Sequence, residues 1–138
     1  MDPAPDTFPK LALRNAQRWS DRIAIREKDL GIWQSYTWSA YAEQSRLIAL
    51  GLAALGFTRG DRTAIVGDNR PPLYWAMLAT QALGGVPVPL YQDSIEKEME
   101  YIAAHAEVRF AVVEDQEQVD KLLQVRRQYP GLEYIVYD

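Results

Sequence analysis

An α/β fold is predicted for this chain: a largely parallel, doubly wound sheet preceded by an N-terminal helix and a β-hairpin. Two observations carry the prediction. From Arg62 onward, short apolar β-prone runs alternate with longer amphipathic stretches, the pattern of βαβ units whose right-handed crossovers build a parallel sheet covered on both faces. Before Arg62 the pattern is different, with one helical stretch, two β-rich runs about a turn, and a longer helical period.

The elements follow in order. Thr7 or Asp6 is placed to cap a first helix with Pro9 in its opening turn, and Phe8, Leu11, Ala12, Ala16 and Trp19 then share one face. Ile23, Ile25 and Glu27 alternate, Asp29-Leu30-Gly31 supplies turn chemistry, and Trp33 to Thr37 offers a second β-rich run, so a hairpin is expected. Tyr41, Ser45, Ile48, Leu52 and Leu55 then take helical steps, with Gly56 where a C-terminal cap belongs. After a Gly60-Asp61 turn the expected units are strand 63–66, helix 71–83, strand 86–90, helix 94–105, strand 108–113, helix 117–129 and strand 133–137, with Pro130-Gly131 stopping the last helix. Asn69 is read as the cap of the helix that Pro71 and Pro72 open. Asp93 or Ser94 is read as the next cap, with Asp93 and Glu96 at capping-box spacing, an arrangement that Asp115 and Gln118 repeat. Pro87 and Pro89 remove two amide donors from strand 86–90 and confine it to an edge or to irregular pairing.

With 138 residues, 48% hydrophobic and 25% charged, the chain suits one packed unit, 1–138, divided into helix plus hairpin (6–37) and an alternating helix/strand part (38–138). The net charge of −4 is uneven: residues 1–69 carry 9 basic and 8 acidic side chains, residues 70–138 carry 6 and 11. No basic stripe matches a phosphate backbone, which argues against nucleic acid as a partner. The absence of cysteine removes disulfides, thiolate metal sites and a cysteine nucleophile together. Met1 to Asp6 shows no basic segment leading into an apolar run, and the apolar stretches fall far short of a bilayer span, so a cytoplasmic location is expected.

Motifs that carry chemistry are scarce. Gly51 and Gly56 have the outer spacing of a phosphate loop, but Phe57-Thr58 stands where that motif needs Lys and then Ser or Thr. His105 is the only histidine and has no cysteine or second histidine to share a metal with. Glu114, Asp115 and Glu117 lack calcium-loop spacing and suit a solvated helix start. Trp19, Trp33, Trp38 and Trp75 are expected to anchor the core or a sheet face. The residues alone therefore stop at an α/β domain without a self-sufficient active site: no catalytic residue and no metal ligand is assigned.

A family resemblance goes further. Gly60 to Pro71 (Gly-Asp-Arg-Thr-Ala-Ile-Val-Gly-Asp-Asn-Arg-Pro) resembles the segment of acyl-CoA synthetases that runs from a Gly-Asp-Arg turn through a strand to an Asn-Arg-Pro helix start. Ala82 to Tyr91 is similar to that family's small-residue helix end and Val-Pro-Leu-Tyr strand. Ser94 to Ala106 resembles its acidic helix, Val108 to Glu114 its next strand, and Tyr36-Thr37-Trp38 its entry to the preceding helix. The Asn69-Arg70-Pro71 and Pro89-Leu90-Tyr91 forms look most like long-chain fatty acyl-CoA synthetases. Pro72-Leu73-Tyr74-Trp75 departs from the acid-then-Trp pattern usual after the proline, and Ala103-Ala104-His105-Ala106 departs from an Asp-Ser type helix end.

The resemblance implies an incomplete N-terminal part of the large domain of an AMP-forming ligase. In that family a carboxylate attacks the α-phosphate of ATP, with magnesium, to give an acyl-adenylate, and coenzyme A then displaces AMP. The Ser/Thr/Gly-rich phosphate loop ending in Pro-Lys and the catalytic lysine of the small C-terminal domain are expected beyond Asp138, so this chain alone is expected to be inactive. Tyr91, Gln92 and Asp93, just past a strand's C-terminal end, are the expected substrate-side residues. ATP, magnesium, coenzyme A and a fatty acid are implied for the parent enzyme, with peripheral membrane association; self-association is expected of the fragment. Two other readings stay open from the residues: a free-standing doubly wound binding or signalling module with Asp68 as its phosphoryl or metal site, and an interaction-only remnant that pairs through an exposed sheet edge.

Overall fold

A computed structural model describes residues 6–137; the segment 1–5, read above as lacking a leader pattern, lies outside the described residues, as does Asp138. The element order is α1 (Phe8–Arg18), β1 (Ile23–Asp29), β2 (Ile32–Thr37), α2 (Trp38–Ala54), β3 (Arg62–Val66), α3 (Pro71–Ala82), β4 (Val86–Leu90), α4 (Glu96–His105), β5 (Phe110–Val113), α5 (Gln116–Gln128) and β6 (Tyr134–Tyr137). β1 and β2 form an antiparallel hairpin. The other four strands form one parallel sheet in the order β4-β3-β5-β6.

Strand alternation sorts the core into two layers. Ala64 and Val66 of β3, Ala111 and Val113 of β5 and Leu90 of β4 join Met99 and Ala103 of α4 and Leu122 and Val125 of α5. On the opposite face, Ile65 and Val112 meet Leu73 and Ala76 of α3, with Ile48 of α2 against them. Phe110 closes that layer with Leu52 and Phe57. Full burial of a side chain of the Leu or Phe class contributes about 2 kcal/mol, which makes these two layers the main source of stability. α1 packs outside them against α2 and α3 and buries Ala12.

Most local expectations hold. Thr7 caps α1 by accepting from the Lys10 amide and Asp115 caps α5 through the Gln118 amide, as expected, while Thr37, a cap the sequence reading did not name, holds the start of α2 through the Ala40 amide. Gly56 ends α2 at φ +85, where the Gly56 amide reaches Ala53 O and the Phe57 amide reaches Leu52 O, the paired bonds of a Schellman end. The prolines of β4 are tolerated because β4 is an edge strand.

Three expectations need correction. Asn69 does not cap α3: Arg70 is the N-cap and makes no side-chain cap bond. Pro71 and Pro72 have no amides to cap, and the Leu73 amide already reaches Arg70 O. Asp93 and Ser94 do not open α4, whose N-cap is Ile95, because Ser94 closes a turn onto Tyr91 O and delays the helix. Strand β5 begins at Phe110; Val108 is fully buried but spends its amide on Ala103 O at the end of α4.

At the N-terminal edge of the sheet, Asp61 accepts from the Thr58 amide at 2.7 Å and from Arg109 Nη1 at 2.8 Å, while Arg109 Nε donates to Glu133 at 2.8 Å. Burial alone would raise the Asp61 carboxyl, but the Thr58 amide and the Arg109 guanidinium outweigh it and hold the pKa below the usual carboxylate value. A carboxyl depressed in the folded state stabilises fully above its unfolded value of about 4 and loses that contribution as pH falls through the folded value. Asp61→Asn is therefore expected to cost about 2 kcal/mol at neutral pH. The gap from the native chain should narrow below about pH 4 as Asp61 itself protonates; urea midpoints measured on both sides of that pH check it.

Candidate functional site at the strand ends

β3 feeds α3 on one face and β5 feeds α5 on the other, and β3 lies beside β5. Their C-terminal ends form the switch point of the sheet, where open α/β folds place ligands. Gly67, Asp68, Asn69 and Arg70 follow β3, Tyr91, Gln92 and Asp93 follow β4, and Glu114 and Asp115 follow β5.

These loops are tied to one another by side chains. Glu114 accepts the Asp68 amide through Oε2 and holds Oε1 3.6 Å from Arg70 Nη1. Arg70 Nε donates to Glu27 of the hairpin at 2.9 Å. That hydrogen bond and the charge of Glu27 raise the already high pKa of Arg70, so the guanidinium stays charged. Gly67 permits the approach of β3 to β5: a Cβ there would stand 2.6 Å from Glu114 Cβ and 2.8 Å from Leu73 Cδ1. Gln92 Nε2 donates to Asp68 Oδ1 at 2.6 Å, and Gln92 O accepts from Lys121 Nζ at 2.7 Å.

A cleft of about 410 Å³ opens beside this network, with Arg70, Glu114 and Gln44 as its polar lining and Ile48, Val112 and Trp75 among its apolar walls. Trp75 is buried, meets Tyr36 edge-on at 5.2 Å, and leaves its indole Nε1 without a partner among the described residues. A second cleft, also about 410 Å³, runs between α3 and β4 and includes Tyr91.

Of the expected substrate-side residues, Gln92 belongs to the network, Tyr91 is 84% exposed on the rim, and Asp93 is exposed on the loop. The partners that sequence reasoning missed are Arg70, Glu27 and Glu114. They lie 43 or more residues apart in pairs with Arg70 or across the loops, and their one local signal was the Asn-Arg-Pro turn. The expectation for tryptophan fails at Trp33, which is 64% exposed, because its position in β2 points away from the body of the fold. His105 stacks on Tyr101 at the end of α4.

The geometry positions loops; it does not build a triphosphate cradle. The N-terminus of α3 begins with two prolines and follows Asp68, that of α4 carries Glu96 and Glu98, and that of α5 is closed by the Asp115 carboxylate. Each end that would bind phosphate lacks free amides or carries negative charge. No group of three or more His, Cys, Asp or Glu side chains among the described residues is arranged to hold a metal ion. The single Pro-Lys pair, Pro9-Lys10, opens α1.

Comparison with known proteins settles the family, because the model of the AMP-binding enzyme family matches residues 13–138. The chain belongs to the AMP-binding enzyme family. A long-chain-fatty-acid–CoA ligase of Xenopus laevis, ACSBG2, is 30% identical over 132 residues, covering 96% of this chain and 18% of the relative. The N-terminal subdomain of NpsA from Klebsiella oxytoca is 28% identical with a TM-score of 0.69, covering 77% of this chain and 27% of that one. The anthranilate CoA ligase AuaEII, solved with anthranoyl-AMP, shares the fold at a TM-score of 0.85 and 20% identity, covering 94% of this chain and 24% of that one. The chain thus spans about a fifth of the length of the curated relative, and its parallel sheet is that of part of the large domain of these AMP-binding ligases.

Proposed function

We propose that this chain is the N-terminal portion of an AMP-forming long-chain fatty acid–CoA ligase, which activates a fatty acid through an acyl-adenylate and passes the acyl group to coenzyme A. The identity with the Xenopus laevis ligase over 96% of the chain carries the reading. In it, residues 6–137 are a scaffold that holds the loops after β3, β4 and β5, and Tyr91, Gln92 and Asp93 face the ligand side. ATP, magnesium and coenzyme A are held by the remainder of the parent. The chain alone is inactive, since its helix N-termini at the strand ends repel or cannot donate to phosphate. The proposed location is the cytoplasm; no helix among the described residues is long and apolar enough to cross a membrane.

Two measurements test this. The purified chain, given ATP, magnesium, a long-chain fatty acid and labelled pyrophosphate, is expected to exchange no label into ATP above a no-protein blank. Exchange above the blank would overturn the scaffold reading. The reading frame past the codon for Asp138 is expected to encode a Thr/Ser/Gly-rich loop ending in Pro-Lys, and a frame and its neighbours without one would overturn the ligase reading.

A further inference from the structure

A cleft of about 670 Å³ lies where α1, β1, α2 and α3 meet, and none of the loops that follow β3, β4 and β5 lines it. Its volume falls within the range of about 300–1,000 Å³ usual for ligand pockets. Four rings, Phe8, Trp38, Tyr41 and Tyr74, and the thioether of Met77 form much of its lining. Rings and a polarizable sulfur suit an aromatic body, which can stack on them or meet them edge-on. The chain's own packing leaves part of these walls uncovered, since Phe8 is 69% and Tyr74 37% exposed.

The polar groups of the lining are few, and the charge among them has one sign. Arg14 is the one charged residue there, and no carboxylate pairs with it among the described residues. Its Nε and Nη2 donate to Asn15 Oδ1 at 3.3 and 3.1 Å. That contact holds the guanidinium in place and leaves Arg14 Nη1 and the Asn15 amide nitrogen as donors. Gln81 adds a neutral amide. Burial, with Tyr74 beside it, raises the Tyr41 hydroxyl above its ordinary value, so it stays protonated and brings no negative charge. One cation, two amides and no acid select an anion, and a guanidinium meets a carboxylate well through its parallel N–H donors.

We propose that this cleft binds an aromatic carboxylate, with the ring system among Phe8, Trp38, Tyr41 and Tyr74 and the carboxylate on Arg14 and Asn15. The site is separate from the crest of loops at the strand ends, but it is in touch with it. Tyr74 and Met77 also line the cleft that includes Tyr91, and Tyr74 Oη lies 3.5 Å from Asn69 Oδ1 in the loop after β3. An occupant therefore packs on the same two side chains of α3 that face the crest.

The test is titration of the isotope-labelled chain with 2-naphthoate, read by calorimetry and by the side-chain amide signals of Asn15, Gln81 and Gln92. The signals of Asn15 and Gln81 are expected to move to saturation while that of Gln92, at the crest, stays. Arg14→Gln removes the cation, and the near-isosteric Gln81→Glu places a carboxylate in the lining; each should weaken 2-naphthoate about tenfold. Both leave the apolar walls intact, so the uncharged 2-naphthamide should bind the native chain and both variants alike, and melting temperatures should stay close to the native value. Absence of saturable shifts, or saturation that moves Gln92 in place of Asn15 and Gln81, would overturn the proposal. Equal losses of naphthoate and naphthamide in Arg14→Gln would overturn the role of the charge, and tighter binding of dodecanoate at the same signals would overturn the aromatic class. A dimer of the native chain that Gln81→Glu dissociates, with no naphthoate bound, would assign the cleft to a second copy and overturn it as well.

Discussion

Phe110→Ala is expected to cost about 3–5 kcal/mol. Phe110 is fully buried on β5, an interior strand, with ring centroids 5.0 Å from Phe57 and 5.1 Å from Tyr134. It joins α2, the loop that follows α2, and β6 into one cluster, and none of these neighbours can collapse into the void without losing its own contacts. A domain of this size has about 5–15 kcal/mol in total, so the loss approaches unfolding. Urea denaturation checks it, with Phe110→Leu as the volume-conserving comparison at less than about 1.5 kcal/mol. Equal midpoints for the two variants would show that the ring cluster does not hold the edge strand to the sheet.

Gly85→Ala is expected to cost about 1–3 kcal/mol by overpacking, a large effect for one methyl group. A Cβ at residue 85 would meet the Phe57 ring and stand 2.7 Å from the carbonyl oxygen of Asp61. That carbonyl cannot retreat freely, since it accepts the Val86 amide at 2.9 Å, and the Gly85 amide is itself bound to Thr80 O at 2.9 Å. The remaining freedom lies in the Phe57 ring. Phe57→Leu placed in the Gly85→Ala background should therefore recover part of the lost midpoint, although Phe57→Leu alone lowers it. Additive losses in the pair would show that Asp61, not Phe57, sets the limit.

Features decided within one or two turns of chain were legible in the sequence. The two-residue turn at Leu30-Gly31, the Gly56 helix end, the Asp115 cap and the edge position of β4 each follow from a local steric or hydrogen-bonding rule. The misplaced caps show how such rules compete. Asn69 is a better capping residue than Arg70, but two prolines leave it no amide to cap, and Ser94 spends its own amide on Tyr91 O before α4 can start. The site was less legible because its bonds are distant in sequence: Arg70 meets Glu27 from 43 residues away, and Asp68 meets Glu114 from 46. Only the topology brings those side chains to one crest, and no local pattern marks which charged residues will find each other there. Trp33 was misjudged for the same reason, since alternation tells which residues share a face but not which face the body covers.

The two edges of the sheet are chemically unlike. β4 carries Pro87 and Pro89, whereas β6 offers Tyr134-Ile135-Val136-Tyr137, a strand with neither proline nor charge. Among the described residues β6 has no strand on its outer side, and at β4 strand addition is blocked by absent amides. If two copies join through β6 about a two-fold axis, both outer borders of the joint sheet are the proline-bearing β4, and no third copy can add. The prolines thus act as a stop on that border: whatever lies beside β6, no strand can extend the sheet past β4.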